Sequence, residues 1–126
     1  IEVTRQSFFD GVAQLKAGNR IGDVGSAIQT TVESNGFSVV KRYIGHGIGH
    51  ELHESPDVPN FGTAGRGTRL CVGMALAIEP MVNMGNYGVY TTSDGWTIKT
   101  IDNSLSAHYE NTILITDGEP EILTKA

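Results

Sequence analysis

Thr31-Val32-Glu33-Ser34-Asn35-Gly36-Phe37-Ser38-Val39-Val40-Lys41-Arg42-Tyr43-Ile44 is the stretch in which the chain changes period. Ala27, Ile28, Thr31 and Val32 keep helical spacing and form the buried stripe of a helix, which Asn35-Gly36 ends. From Phe37 to Ile44 the residues are β-branched or aromatic and read as a strand. Working back, that helix is expected to start at Asp23 as N-cap. A helix before it is expected from Val3, Phe8, Val12 and Leu15 on one face, with Gly18-Asn19 as its stop. Working forward, only strand and turn signals follow. Ser55-Pro56-Asp57-Val58-Pro59-Asn60 cannot be regular helix, and Gly62 to Thr68 should be an exposed loop. Met74 to Val82 reads as an apolar strand stopped or bent near Pro80. Val89–Thr92 and Trp96–Ile101 flank Ser93-Asp94-Gly95, a tight-turn signature, and so predict a hairpin. Ala107–Thr116 alternates as a strand, and Glu121–Leu123 is a short last one. Two helices followed by antiparallel strands place the chain in the α+β class. Without repeats or a linker, residues 1–126 are expected to form one domain.

Composition narrows the function. With 39% apolar and 18% charged residues among 126, the chain is expected to be soluble, with a real core. Nine basic against fourteen acidic residues give a net charge of -5, with no Lys/Arg cluster, which argues against nucleic acid or an anionic membrane as partner. No apolar run approaches the roughly 20 residues of a membrane span, and no secretory signal opens the chain. A single cysteine, Cys71, excludes an internal disulfide and a Cys-based zinc cluster, and suits the cytoplasm. It has no evident base partner and reads as an inert thiol. The start at Ile1, directly in helical sequence, suggests a trimmed chain or a fragment.

Three segments carry chemistry. Glu79 lies in Met74-Ala75-Leu76-Ala77-Ile78-Glu79-Pro80-Met81-Val82, where a bare carboxylate would be costly unless paired, protonated or metal-bound. An edge-strand glutamate facing solvent fits that segment equally. Glu110 lies in Ser106-Ala107-His108-Tyr109-Glu110-Asn111-Thr112, whose alternation sets Ser106, His108, Glu110 and Thr112 on one face, either solvated or functional. His46 lies in Gly45-His46-Gly47-Ile48-Gly49-His50-Glu51-Leu52-His53-Glu54. Glycines on both sides allow close backbone approach and leave the imidazole unobstructed. The glycines and Pro56 argue against a helix here, so no helical His-Glu-x-x-His zinc motif is present. His46 with Glu79 and Glu110 makes a His/carboxylate metal site with open positions. His50 and His108 read as solvent-facing or as supporting residues outside the ligand set.

Together these segments resemble the methionine aminopeptidases, type I, within the pita-bread metallopeptidases. The resemblance rests on Gly45-His46-Gly47-Ile48-Gly49, Leu52-His53-Glu54 with Pro56, and Val58-Pro59-Asn60-Phe61-Gly62. It continues through Gly73-Met74, Ile78-Glu79-Pro80-Met81, Asp94-Gly95-Trp96-Thr97 and Ser106-Ala107-His108-Tyr109-Glu110. It covers essentially the whole chain, in order and at compact spacing.

The resemblance implies half of a pita-bread fold, two helices packed on a curved antiparallel sheet, with residues 1–126 as the C-terminal half of the catalytic domain. It implies removal of the initiator methionine from new polypeptides by a site holding two divalent ions, Mn, Fe, Co or Zn. His46 and Glu79 would bind one ion and Glu110 would bridge two. Glu79 would also move a proton between the attacking water and the leaving amine. His53 would contact the substrate and help stabilise the tetrahedral intermediate. Trp96 would line the pocket for the first side chain, together with Leu52, which stands where many members carry an aromatic residue. The N-terminal half would supply two further aspartate ligands, and no pair here resembles them. The chain alone is therefore expected to hold at most one ion weakly and to be inactive or weakly active, its partners being a Met-initiated peptide and the missing half. Two alternatives remain: a Xaa-Pro dipeptidase relative, disfavoured by the compact spacing, and a non-catalytic folding or dimerisation module in which a homodimer partner imitates the missing half.

Overall fold

The computed structural model of the protein describes residues 1–125. Two helices come first, α1 (Glu2–Val12) and α2 (Ile21–Ser34), and pack against each other. Ten short strands follow: β1 (Ser38–Val39), β2 (Gly45–Gly47), β3 (Glu54–Val58), β4 (Ala75–Ile78), β5 (Met81–Asn83), β6 (Val89–Thr91), β7 (Ile98–Thr100), β8 (Ser106–His108), β9 (Asn111–Leu114) and β10 (Glu121–Ile122). They form a five-stranded sheet ordered β10-β9-β4-β2-β3, a three-stranded sheet ordered β1-β5-β8 and the β6–β7 hairpin. Every pairing is antiparallel. Pro56, which has no N–H to give a ladder, sits in β3 at a sheet edge.

Helix α2 starts earlier than its sequence suggests. Arg20 is the N-cap, and Asp23 lies one turn inside, where its Oδ2 accepts the Arg20 amide at 2.7 Å. Asp23 Oδ1 accepts the Gly65 amide at 2.7 Å, so one carboxylate ties the helix start to the exposed 62–68 loop. The stripe that α2 buries is Ile21, Val24, Ile28 and Val32; Ala27 and Thr31 are only partly covered. Leu15 lies beyond the end of α1 yet is fully buried.

Of three long strands expected from the sequence, one is shortened and two are divided. Of Phe37–Ile44 only Ser38–Val39 is strand, because the chain turns outward at Lys41–Tyr43. There the Lys41 ammonium lies 4.7 Å from the Tyr87 ring centroid and 5.7 Å from that of Phe61. Ala107–Thr116 breaks at Tyr109-Glu110, with β8 in the three-stranded sheet and β9 in the five-stranded one. The Met74–Val82 segment breaks at Glu79-Pro80 in the same way. The two breaks face each other. Register pairs Ile78 with Asn111 on one side and Met81 with His108 on the other. It therefore runs unbroken through the joint, setting Glu79 opposite Glu110 and Pro80 opposite Tyr109.

Alternation then sorts the side chains. Leu76, Ile78, Ile113 and Ile115 are fully buried in one core with Phe8, Val24, Ile28 and Val32 of the helices. Burying each such side chain contributes about 1.5–3 kcal/mol before entropy is counted. Ala77, Glu79, Glu110 and Thr112 point to the opposite face, where Ala77 lies between His46 and Thr112 in a row across three strands. The core thus fixes the strands that present the polar group.

Candidate metal centre

His46 reaches this face from β2, a strand pressed between two others. A Cβ at Gly45 would collide with the Ala77 carbonyl oxygen, and one at Gly47 with the Ser55 carbonyl oxygen. Only glycine on either side of His46 lets the three backbones lie this close. The imidazole is well covered, with 12% of the side chain exposed.

One ring nitrogen of His46 is committed. Nδ1 lies 2.8 Å from the Gly47 carbonyl, which can only accept, so Nδ1 carries the proton and donates it. That contact is the acceptor supporting a ligand imidazole, and it is local to the strand. In the neutral ring Nε2 then presents a lone pair, and it lies 3.3 Å from Glu79 Oε1. A lone pair and a carboxylate oxygen at that separation need a positive charge or a proton between them.

The carboxylates repeat the requirement. One ligand atom each from His46, Glu79 and Glu110 lie within 4.8 Å of one another. Neutral imidazole with two carboxylates is a donor set for Mn, Fe, Co or Zn, and its geometry leaves positions open. The residues present thus fit a divalent ion.

His108 joins the group. Its Nε2 lies 3.4 Å from Glu79 Oε2 and 3.9 Å from Glu110 Oε2, with 44% of its side chain exposed. The hydrogen bond to Glu79 raises its pKa above the ordinary histidine value against the opposing effect of burial, with the charges of Glu79 and Glu110 adding to the rise. That shift favours the charged imidazolium beside the two carboxylates. From the sequence His108 reads as solvent-facing or as a supporting residue outside the ligand set, and it lies half-exposed beside Glu79 in the second of these roles.

The remaining residues lie further out. The His53 ring is 4.1 Å from that of His46, centroid to centroid, and the side chain is exposed. Leu52, 69% exposed, precedes it on the same loop, and His50 is exposed there too. Trp96, 87% exposed, lies in the turn region between β6 and β7, a hairpin whose sheet is separate from that of His46. Asn60, fully buried, donates from Nδ2 to the Glu79 carbonyl at 3.3 Å. Its segment, Val58–Gly62, belongs to the resemblance, but the contact with Glu79 depends on folding.

Known proteins share this arrangement of elements. The methionine aminopeptidase of Clostridium perfringens is 57% identical over 124 residues, covering 98% of this chain and 50% of that protein. The crystal structure of the Thermotoga maritima methionine aminopeptidase superposes with a TM-score of 0.98 at 52% identity, over 100% of this chain and 51% of that one. The prolidase of Pyrococcus horikoshii superposes with a TM-score of 0.72 at 25% identity, over 99% of this chain and 30% of that one. The chain thus spans about half the length of the methionine aminopeptidases it matches. The helices and antiparallel strands are those of the pita-bread fold, as half of it. With residues 1–117 matching the model of metallopeptidase family M24, the chain belongs to that family.

Proposed function

We propose that residues 1–126 are the C-terminal half of a methionine aminopeptidase catalytic domain and contribute part of a divalent-metal site that removes the initiator methionine from new polypeptides. The observation that carries this reading is the convergence of His46, Glu79 and Glu110. His46, Glu79 and Glu110 would hold the divalent metal, with further ligands supplied by the other half of the domain. A bound divalent ion lowers the pKa of water to about 7 and polarises a carbonyl.

The rest is work for the chain's own side chains. Glu79 has two oxygens facing different partners, Oε1 toward His46 and Oε2 toward His108. It can take a proton from the attacking water and return it to the departing amine. His53, exposed beside His46, is placed to hydrogen-bond the scissile carbonyl oxygen as negative charge develops on it. Leu52 and Trp96 offer apolar surface for the methionine side chain of the substrate. The setting we propose is the cytoplasm; among the described residues no helix is long and apolar enough to cross a membrane.

A second reading has its own observation. Met84 and Leu105 are exposed beside an open apolar groove lined also by Phe37, Val82 and Ala107. Such a surface favours association, so the chain alone could act as a folding or dimerisation module without turnover.

Calorimetric titration with Mn, Co and Zn, with an assay on a Met-initiated tripeptide, tests both. We expect weak binding of about one ion per chain, lost in Glu79→Gln, and little or no turnover until the other half is supplied. No binding under any of these ions would overturn the metal assignment and leave the module.

A further inference from the structure

The joint at Glu79-Pro80 raises a question of backbone accounting. Pro80 has no N–H, and its carbonyl accepts the Tyr109 amide at 3.2 Å. The Pro80–Tyr109 pair is therefore the one that bonds across the joint, and the Glu79 carbonyl points to the other side of the strand, toward β2. The Ala75 carbonyl points that way too and accepts the Ile48 amide at 3.1 Å. Among the described residues no backbone amide donates to the Glu79 carbonyl. Register pairs His46 with Ala77, so the position opposite Glu79 is Ile44, which precedes β2.

Asn60 takes the vacant place in the ladder. It is fully buried and lies two residues beyond the end of β3, and its Nδ2 donates to the Glu79 carbonyl at 3.3 Å. Its Oδ1 is also buried and has no hydrogen-bond partner among the described residues. An amide with one end unsatisfied is a costly way to fill a buried position, because Oδ1 has left water without gaining a donor. What the asparagine adds is a fixed point for the Glu79 backbone at the residue whose carboxylate faces His46 and Glu110.

We propose that Asn60 is a positioning residue for Glu79, standing in for the missing strand neighbour and holding the carboxylate in its metal-binding setting. The link to metal rests on the site reading above; the link to Glu79 geometry does not.

The test uses the 126-residue chain with Asn60→Leu, and with Asn60→Ala, which only removes atoms, in case the leucine prevents folding. Titration with Mn or Co is expected to show affinity reduced about 10–100-fold, and the thermal midpoint is expected to fall as well, since the Glu79 carbonyl loses its donor. Unchanged affinity in a folded variant would overturn the proposal. Should the parent chain bind neither ion, the site reading fails, and crystal structures of metal-free parent and variant decide the positioning role. A Glu79 carboxylate displaced from His46 by more than about 0.5 Å supports it, and one that stays in place overturns it.

Discussion

Glu79 stands directly opposite Glu110 across an antiparallel register that continues while the chain passes from one sheet to another. Like charges directly opposite each other destabilise a sheet, commonly by about 0.2–1 kcal/mol. Here the pair sits beside His46 Nε2 and His108 Nε2, at 3.3 and 3.4 Å from Glu79. The arrangement makes sense as a cation-binding one whose repulsion is relieved on binding.

Glu110→Gln should therefore act in opposite directions on stability and on binding. Without metal the variant should melt slightly above the parent, since one charge of the opposed pair is gone. With Mn or Co present the order should reverse, because the parent is stabilised by the bound ion, by about 2.7 kcal/mol at 100 times Kd, and the variant is not. Thermal melts with and without a chelator check both signs. Equal metal-induced shifts in parent and variant would remove Glu110 from the ligand set.

Gly45→Ala should damage the site through the backbone. The added methyl meets the Ala77 carbonyl oxygen and, at 3.2 Å, the Val58 carbonyl oxygen, neither of which is a flexible side-chain end. Strand β2 must move away from β4 and carry His46 with it. A loss of about 1–3 kcal/mol is expected, together with weaker metal binding. Urea denaturation and calorimetry measure the two; retention of full affinity would show that β2 can shift without disturbing His46.

The second joint is held from the helix side. Tyr109 packs against Phe8 at 4.9 Å and Phe9 at 6.2 Å between ring centroids, and Phe8 is fully buried. Phe8→Ala should cost about 3–5 kcal/mol by opening a cavity beneath Tyr109. In denaturant melts this should appear as a lower midpoint, and Tyr109→Ala in the same background should add less than it does alone, as expected for residues in contact. Full additivity would mean that the two rings do not support each other.

The β6–β7 hairpin should be acid-resistant and dependent on one carboxylate. Asp94 accepts from Thr97 Oγ1 at 2.5 Å, Thr92 Oγ1 at 2.7 Å, and the amides of Trp96 and Thr97 at 2.9 and 2.8 Å. Hydrogen bonds from Thr97 and Thr92 hold its pKa well below the ordinary value of 3.8. A depressed carboxylate supports the folded state above its unfolded pKa and loses that support as pH falls through the folded one. The Trp96 and Thr97 amides should thus stay protected from hydrogen exchange through pH 3.8 and open only in stronger acid. In Asp94→Ala they should exchange freely at all pH values, and protection that survives the substitution would refute the assignment.

Much of the fold is local chemistry and was legible in the residues. The change of period after Asn35-Gly36, the turn at Ser93-Asp94-Gly95 and Pro80 each act over a few residues, so the two helices, the hairpin and the break near Pro80 follow from them, whereas strands β2 and β3 do not. The α+β class follows too. So does the suspicion attached to His46, Glu79 and Glu110, since a carboxylate in an apolar run and an imidazole between glycines are unusual wherever they fold.

Boundaries and partnerships were decided elsewhere. Asp23 has the chemistry of an N-cap, yet it works one turn inside the helix, accepting the Arg20 amide and, from a distant loop, the Gly65 amide. Phe37–Ile44 has strand composition, yet it leaves the sheet where Lys41 finds Phe61 and Tyr87. His108 and Asn60 acquire meaning from neighbours nineteen or more residues away in the chain, at Glu79. A sequence specifies which groups each residue can offer over its own few bonds. Which of those offers are taken up depends on the register between β4 and β9 and the burial beneath α1 and α2, and these are sums over many distant contacts that no single segment contains.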